Sequence, residues 1–148
     1  MMKCTFTHYS SENGLSQDII MDMLQDKRGI MWFATWDGIN RFDGYEFQTF
    51  KARQGDLTSL TNNRVDFLAQ AKYGFIWAVS YDDTVHRLDP EKESFIHVPQ
   101  DRPAADLHII HMVPLSNGDM WLLTANDGAV RAVTDPQNGS SVSTRWYS

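Results

Sequence analysis

Short apolar runs alternate along the chain with polar, glycine-bearing turns, and one order of runs and turns returns three times. The first run of each copy spans residues 19–25, 65–70 and 107–114. In the first copy Ile19, Ile20, Met23 and Leu24 also fit the 3.6-residue period of a helix. The matching segments Val65-Asp66-Phe67-Leu68 and Ile109-Ile110-His111-Met112 are rich in β-branched and aromatic residues, so all three are read as strands. These are strand a. A turn ending in glycine follows each: Asp26-Lys27-Arg28-Gly29, Ala71-Lys72-Tyr73-Gly74 and Leu115-Ser116-Asn117-Gly118. Glycine supplies the left-handed residue that a hairpin loop of this length commonly requires.

Strand b then covers residues 30–35, 75–80 and 119–124, each with a tryptophan at the same place: Trp32, Trp77 and Trp121. The turns Trp36-Asp37-Gly38, Tyr81-Asp82-Asp83-Thr84 and Ala125-Asn126-Asp127-Gly128 lead into strand c, which carries Arg41, Arg87 and Arg131. Strand d covers 45–50, 94–98 and 142–147. The tryptophans recur at intervals of 45 and 44 residues, the period of a β-propeller blade. The expected fold is all-β, a partial propeller over 1–148 with four-stranded antiparallel meanders at 15–50, 60–98 and 104–148. Residues 1–10 include Phe6-Thr7-His8-Tyr9, which resembles the d strands and is expected to be a lone outer strand.

The run Gly14-Leu15-Ser16-Gln17, followed by the unbroken segment from Gln25 through Trp32, Trp36-Asp37-Gly38 and Arg41 to Gly44, resembles the two-component regulator propeller repeat. The later copies depart from it, with Asp82-Asp83-Thr84 in place of an Asp-Gly turn and Ala132-Val133 in place of an aromatic-Asp pair. The resemblance implies the N-terminal part of the periplasmic sensor of a hybrid two-component system of gut Bacteroidetes. Such sensors detect glycan-derived oligosaccharides and belong to long proteins with a histidine kinase, which is not recognisable here. It also implies partners: the remaining propeller blades of the parent protein, an oligosaccharide ligand and a second copy in a homodimer.

Composition narrows the alternatives. Apolar residues at 42% and charged residues at 22% suit a globular chain. A net charge of −6 without a basic run argues against nucleic acid. No apolar stretch reaches membrane-span length, and Met1-Met2-Lys3-Cys4-Thr5-Phe6 has no apolar core, so neither membrane contact nor an export signal is expected in this segment. Cys4 is the single cysteine, which excludes an internal disulfide.

Recurrence separates packing from recognition. Trp32, Trp77, Trp121 and Arg41, Arg87, Arg131 return in every blade, which favours structural roles: tryptophans between blades, and arginines paired near Asp43 or Asp89. The b–c loops differ from blade to blade. Trp36, Asp37, Tyr81, Asp82, Asp83, Asn126 and Asp127 share a face with the d–a linkers at 51–59 and 99–106. Aromatic rings beside carboxylates and amides suit a sugar, since rings stack on C–H surfaces and polar groups bond hydroxyls. The simpler reading is that these are ordinary turn residues.

No catalytic residue, cofactor or metal is expected. His108 and His111 lie three apart on a strand and point to opposite faces, so they do not chelate one ion. Asp82 and Asp83 are adjacent in a turn and diverge rather than flank a scissile bond. Asn138-Gly139-Ser140 has the form of a glycosylation sequon and is read as a loop. The competing functions are a protein-interaction propeller and a propeller lyase or hydrolase.

Overall fold

The computed structural model describes residues 2–100, 107–137, 139 and 141–147. Blade 1 contains β1 (Ile20–Gln25), β2 (Met31–Thr35), β3 (Gly38–Phe42) and β4 (Phe47–Phe50). Blade 2 contains β5 (Val65–Gln70), β6 (Ile76–Ser80), β7 (Val85–Asp89) and β8 (Ser94–His97). Blade 3 contains β9 (Ile109–Pro114), β10 (Met120–Thr124), β11 (Ala129–Thr134) and β12 (Val142–Tyr147). Each blade is one antiparallel sheet whose strands lie in chain order. The three sheets form an open array, with β1, β5 and β9 approaching one another across the blades. The first strands are therefore innermost and the fourth strands lie outside.

The a–b glycines are left-handed, with φ of 84° at Gly29, 83° at Gly74 and 102° at Gly118. The first strand, by contrast, is irregular in every blade. Its pairing shifts by one residue between Ile20 and Asp22, between Val65 and Phe67, and between Leu123 and Thr124 opposite Ile109 and His111. Met21, Asp66 and Ile110 are the extra residues of these bulges, which bend a strand and re-aim its side chains. The exposed neighbours Ile110 and His111 follow from the third bulge.

Two apolar layers join the blades. Trp32, Ala34 and Ile39 meet Val65, Ile76, Ala78 and Leu88 in the first. Trp77, Val79 and Val85 meet Ile109, Met120, Leu122 and Val130 in the second. Trp32 and Trp77 are fully buried, as expected for residues stacked between sheets. Trp121 is only half-buried. It lies on the open side of blade 3, with Tyr147 5.1 Å away and the Arg131 guanidinium 5.9 Å from its ring.

Residues 6–9, expected as a lone outer strand, carry no strand pairing among the described residues, and Phe6 is exposed. Side-chain stacking places the segment instead. The Tyr9 ring sits 5.0 Å from Phe42 and 5.9 Å from Phe47, on the open side of blade 1.

The recurrent arginines serve different contacts. Arg131 pairs with the buried Asp119 at 2.7 Å. Arg87 lies over the Phe75 ring at 4.1 Å and donates to the Gly139 carbonyl across the blade boundary. Arg41 acts on Asp43 through its charge. The sequon residues Asn138 and Ser140 and the linker residues 101–106 lie outside the described residues.

Candidate functional site

One backbone hydrogen bond returns in every blade at the inner end of the b–c turn. The amide of Trp36 donates to Ile19, that of Tyr81 to Arg64 and that of Ala125 to His108, at 3.3, 2.8 and 2.9 Å. It ties the residue after strand b to a residue preceding strand a. The side chains at both positions are thereby placed on the inner rim of one face, next to the bulge residues.

On this rim blades 1 and 2 build a stack. The Arg64 guanidinium carbon lies 4.8 Å from the Trp36 ring centre and 4.3 Å from that of Tyr81. Arg64 Nε donates to Asp66 Oδ1 at 3.1 Å, and its backbone amide donates to Asn62 Oδ1. The Trp36 indole donates to Met21 Sδ at 3.2 Å, so the bulge residues of blades 1 and 2 each hold a rim side chain. Trp36 and Tyr81 remain 43% and 59% exposed, enough for contact with a ligand. Arg64 and Asp66 were not among the sequence-derived candidates. Their signal was register: Arg64 stands where the other blades have Ile19 and His108.

The remaining candidates divide. Asp37 accepts from Lys51 Nζ at 2.7 Å and is held beside the d–a linker. Asp82 accepts from Ser80 Oγ and from the Thr84 amide; burial raises its pKa, but these bonds and Thr61 outweigh that and leave it below the ordinary carboxylate value. Asp83 is a left-handed non-glycine residue, φ 62°, at the place that Gly38 holds in blade 1. Its carboxylate accepts from the Ile109 amide at 3.0 Å and lies 3.5 Å from His108 Nδ1, so it bridges blades 2 and 3. The Asp127 amide donates to Thr124 Oγ1, and Asn126 is exposed. Trp36 and Tyr81 are thus brought together through Arg64, while Asp82 and Asp37 serve their own turns.

Behind the rim lies a second repeated arrangement. In blade 1 Asn40 Oδ1 accepts from the Ser16 amide at 2.9 Å, and Asn40 Nδ2 donates to Thr49 Oγ1 at 3.0 Å. In blade 2 the same places hold Thr61, His86 and His97. His86 Nε2 bonds Thr61 and Ser80 at 3.2 and 3.1 Å, and the two imidazole centres are 5.0 Å apart. Burial, then the neighbouring His97, pulls the His86 pKa down to about 4 against the opposing charge of Asp82.

Two grooves of about 440 and 410 Å³ lie beside the 51–59 linker, away from the aromatic rim. Gln48, Lys51, Arg53 and Glu93 are among the residues lining the first. Among the described residues no group of three or more His, Cys, Asp or Glu is placed to hold a metal ion, and no helix is long and apolar enough to cross a membrane.

Residues 14–37 match the family model of the two-component regulator propeller. Over 56 residues the chain is 39% identical to histidine kinase P4 of Formosa agariphila, a match covering 38% of this chain and 4% of that protein. A crystal structure of an extracellular domain described as a hybrid two-component system of B. thetaiotaomicron superposes with a TM-score of 0.72 at 24% identity, over 95% of this chain and 20% of that one. Virginiamycin B lyase of Staphylococcus aureus superposes with a TM-score of 0.59 at 14% identity, over 84% of this chain and 40% of that one. The chain therefore spans a small part of the kinase and of the first structure, and the last two likenesses speak for fold. Residues 14–37, within the first blade, match the two-component regulator propeller repeat, and the three sheets together have the fold of β-propeller blades.

Proposed function

We propose that this chain forms part of the extracytoplasmic ligand-sensing propeller of a two-component sensor, and that its ligand is a glycan-derived oligosaccharide bound on the b–c face. The observation that carries this reading is the exposed pair Trp36 and Tyr81, set on a backbone frame beside Arg64 and Asp66. Aromatic faces with polar groups at their edges match the alternation of C–H surfaces and hydroxyls on a pyranose. The similarity to a histidine kinase and to extracellular two-component domains supports the sensing role and the placement outside the cytoplasm. In this reading the chain performs no chemistry, and ligand binding biases blade geometry. Further blades cover its two open sheet faces.

The test is a glycan array followed by calorimetry on the chain. Saturable oligosaccharide binding that weakens at least about ten-fold in Trp36→Ala or Tyr81→Ala is expected. Absence of saccharide binding overturns the reading. A protein-docking role is the second reading, favoured by the exposed apolar Met23 and Val113 on the open sides of blades 1 and 3.

A further inference from the structure

Arg64 is held by several contacts. Its carbonyl accepts from Tyr81, its amide donates to Asn62, its Nε donates to Asp66, and its guanidinium carbon lies 4.8 and 4.3 Å from the ring centres of Trp36 and Tyr81. About one third of its side chain is exposed, and its Nη donors have no hydrogen-bond partner among the described residues. A guanidinium held by an Nε bond and by contacts to two rings has lost much of its rotamer freedom before any ligand arrives, and its free Nη groups present N–H donors. Such donors match two coplanar oxygens of a carboxylate or sulfate.

The place of Arg64 in the repeat strengthens the argument. The backbone frame is the same in all three blades, yet its pre-strand residues are Ile19, Arg64 and His108. A residue needed for blade packing recurs, as Trp32 and Trp77 do; a residue that differs on a constant frame is free to meet a ligand.

The geometry points to an acidic saccharide as the ligand of this face, a uronate or a sulfated sugar, whose anionic group is bound by the Nη edge of Arg64 while its ring lies against Trp36 or Tyr81. This inference rests on the saccharide reading above and names the class of saccharide.

The probes are trigalacturonate with its methyl ester, and a sulfated carrageenan oligosaccharide with its desulfated form, titrated calorimetrically into the full chain. At least one acid should bind about ten-fold or more tightly than its neutral partner, and weaken as salt is raised. The pair that discriminates tells carboxylate from sulfate. Arg64→Gln should erase the difference, and Arg64→Lys, which keeps the charge but loses the fork, should retain only part of it. Equal binding of acid and neutral forms by the wild-type chain, or a preference untouched by Arg64→Gln, overturns the inference while leaving saccharide binding in place. No binding of any saccharide overturns both.

Discussion

The indole N–H of Trp32 donates to Oδ2 of Asp26 at 3.0 Å, inside the first interblade layer. The other oxygen of Asp26 accepts from the amides of Arg28 and Ile30 at 2.8 and 3.0 Å. One carboxylate thus closes the a–b turn and anchors the buried tryptophan. Burial raises its pKa, but the bonds from Trp32, Ile30 and Arg28 prevail and hold it below the ordinary value.

Asp26→Ala removes the acceptor of a fully buried donor as well as the turn's bonds. The expected loss is about 2–3 kcal/mol, read from urea unfolding monitored by tryptophan fluorescence. A loss under about 0.5 kcal/mol would show that the turn stands without Asp26. Because the folded pKa is depressed, the stabilisation is present above the unfolded value near 3.8 and is lost as pH falls below it.

Blade 2 offers the reverse experiment. Ala71 occupies the place of Asp26, its amide donating to Phe75 as that of Asp26 does to Ile30, and the buried indole N–H of Trp77 has no partner among the described residues. Ala71→Asp should stabilise the chain by about 1 kcal/mol. A neutral or lower unfolding midpoint would mean that desolvating the new carboxylate outweighs the bond.

His86 makes stability depend on pH in a separate window. Its pKa falls from 6.5 when unfolded to about 4 when folded, so its neutral form is the native one. Stability is full above pH 6.5, declines as pH drops toward 4 and levels off below, by at most about 3 kcal/mol. The double change His86→Asn with His97→Thr rebuilds the Asn40–Thr49 pairing of blade 1. It should flatten thermal midpoints across that window; an unchanged slope would place the titration elsewhere.

Asp83 adopts the left-handed backbone at the place that a glycine, Gly38, holds in blade 1. Asp83→Ala keeps the strain and deletes the bond to Ile109, costing about 2 kcal/mol. Asp83→Gly deletes the same bond but relieves the strain, and should cost about 1 kcal/mol less. Equal losses in the two variants would show that the conformation carries no penalty.

The open sides of blades 1 and 3 repeat the apolar positions that are buried inside. Phe33 and Phe42 stand where blade 2 has Ala78 and Leu88, and Trp121 and Leu123 where it has Trp77 and Val79. The chain alone should self-associate, and Trp121→Glu should reduce this in light scattering. A wild-type chain that is monomeric at high concentration and unfolds cooperatively would refute it.

Legibility followed recurrence. The turn glycines and twelve strands could be placed because Trp32, Trp77 and Trp121 fixed the register of everything between them. The segment at residues 6–9, read as a strand from its alternation of aromatic and polar residues, pairs with no strand here and is placed by the stacking of Tyr9 on Phe42 and Phe47. Arg64 and Asp66 escaped notice. Asp66 reaches Arg64 from a one-residue bulge, and Arg64 meets Trp36 across adjacent blades, neither of which leaves a mark in local pattern. The His86–His97 pair was hidden likewise, since only alignment with Asn40 and Thr49 shows it to be a substitution within a polar brace.

The bond from Trp36, Tyr81 and Ala125 to Ile19, Arg64 and His108 uses main-chain atoms alone. It therefore asks nothing of the side chains it positions, in contrast to the Asp26–Trp32 anchor, where any change is felt by the core. Mutation can rewrite this rim blade by blade, as type is reset in a fixed frame, so the same scaffold can acquire a new vocabulary without relearning how to fold.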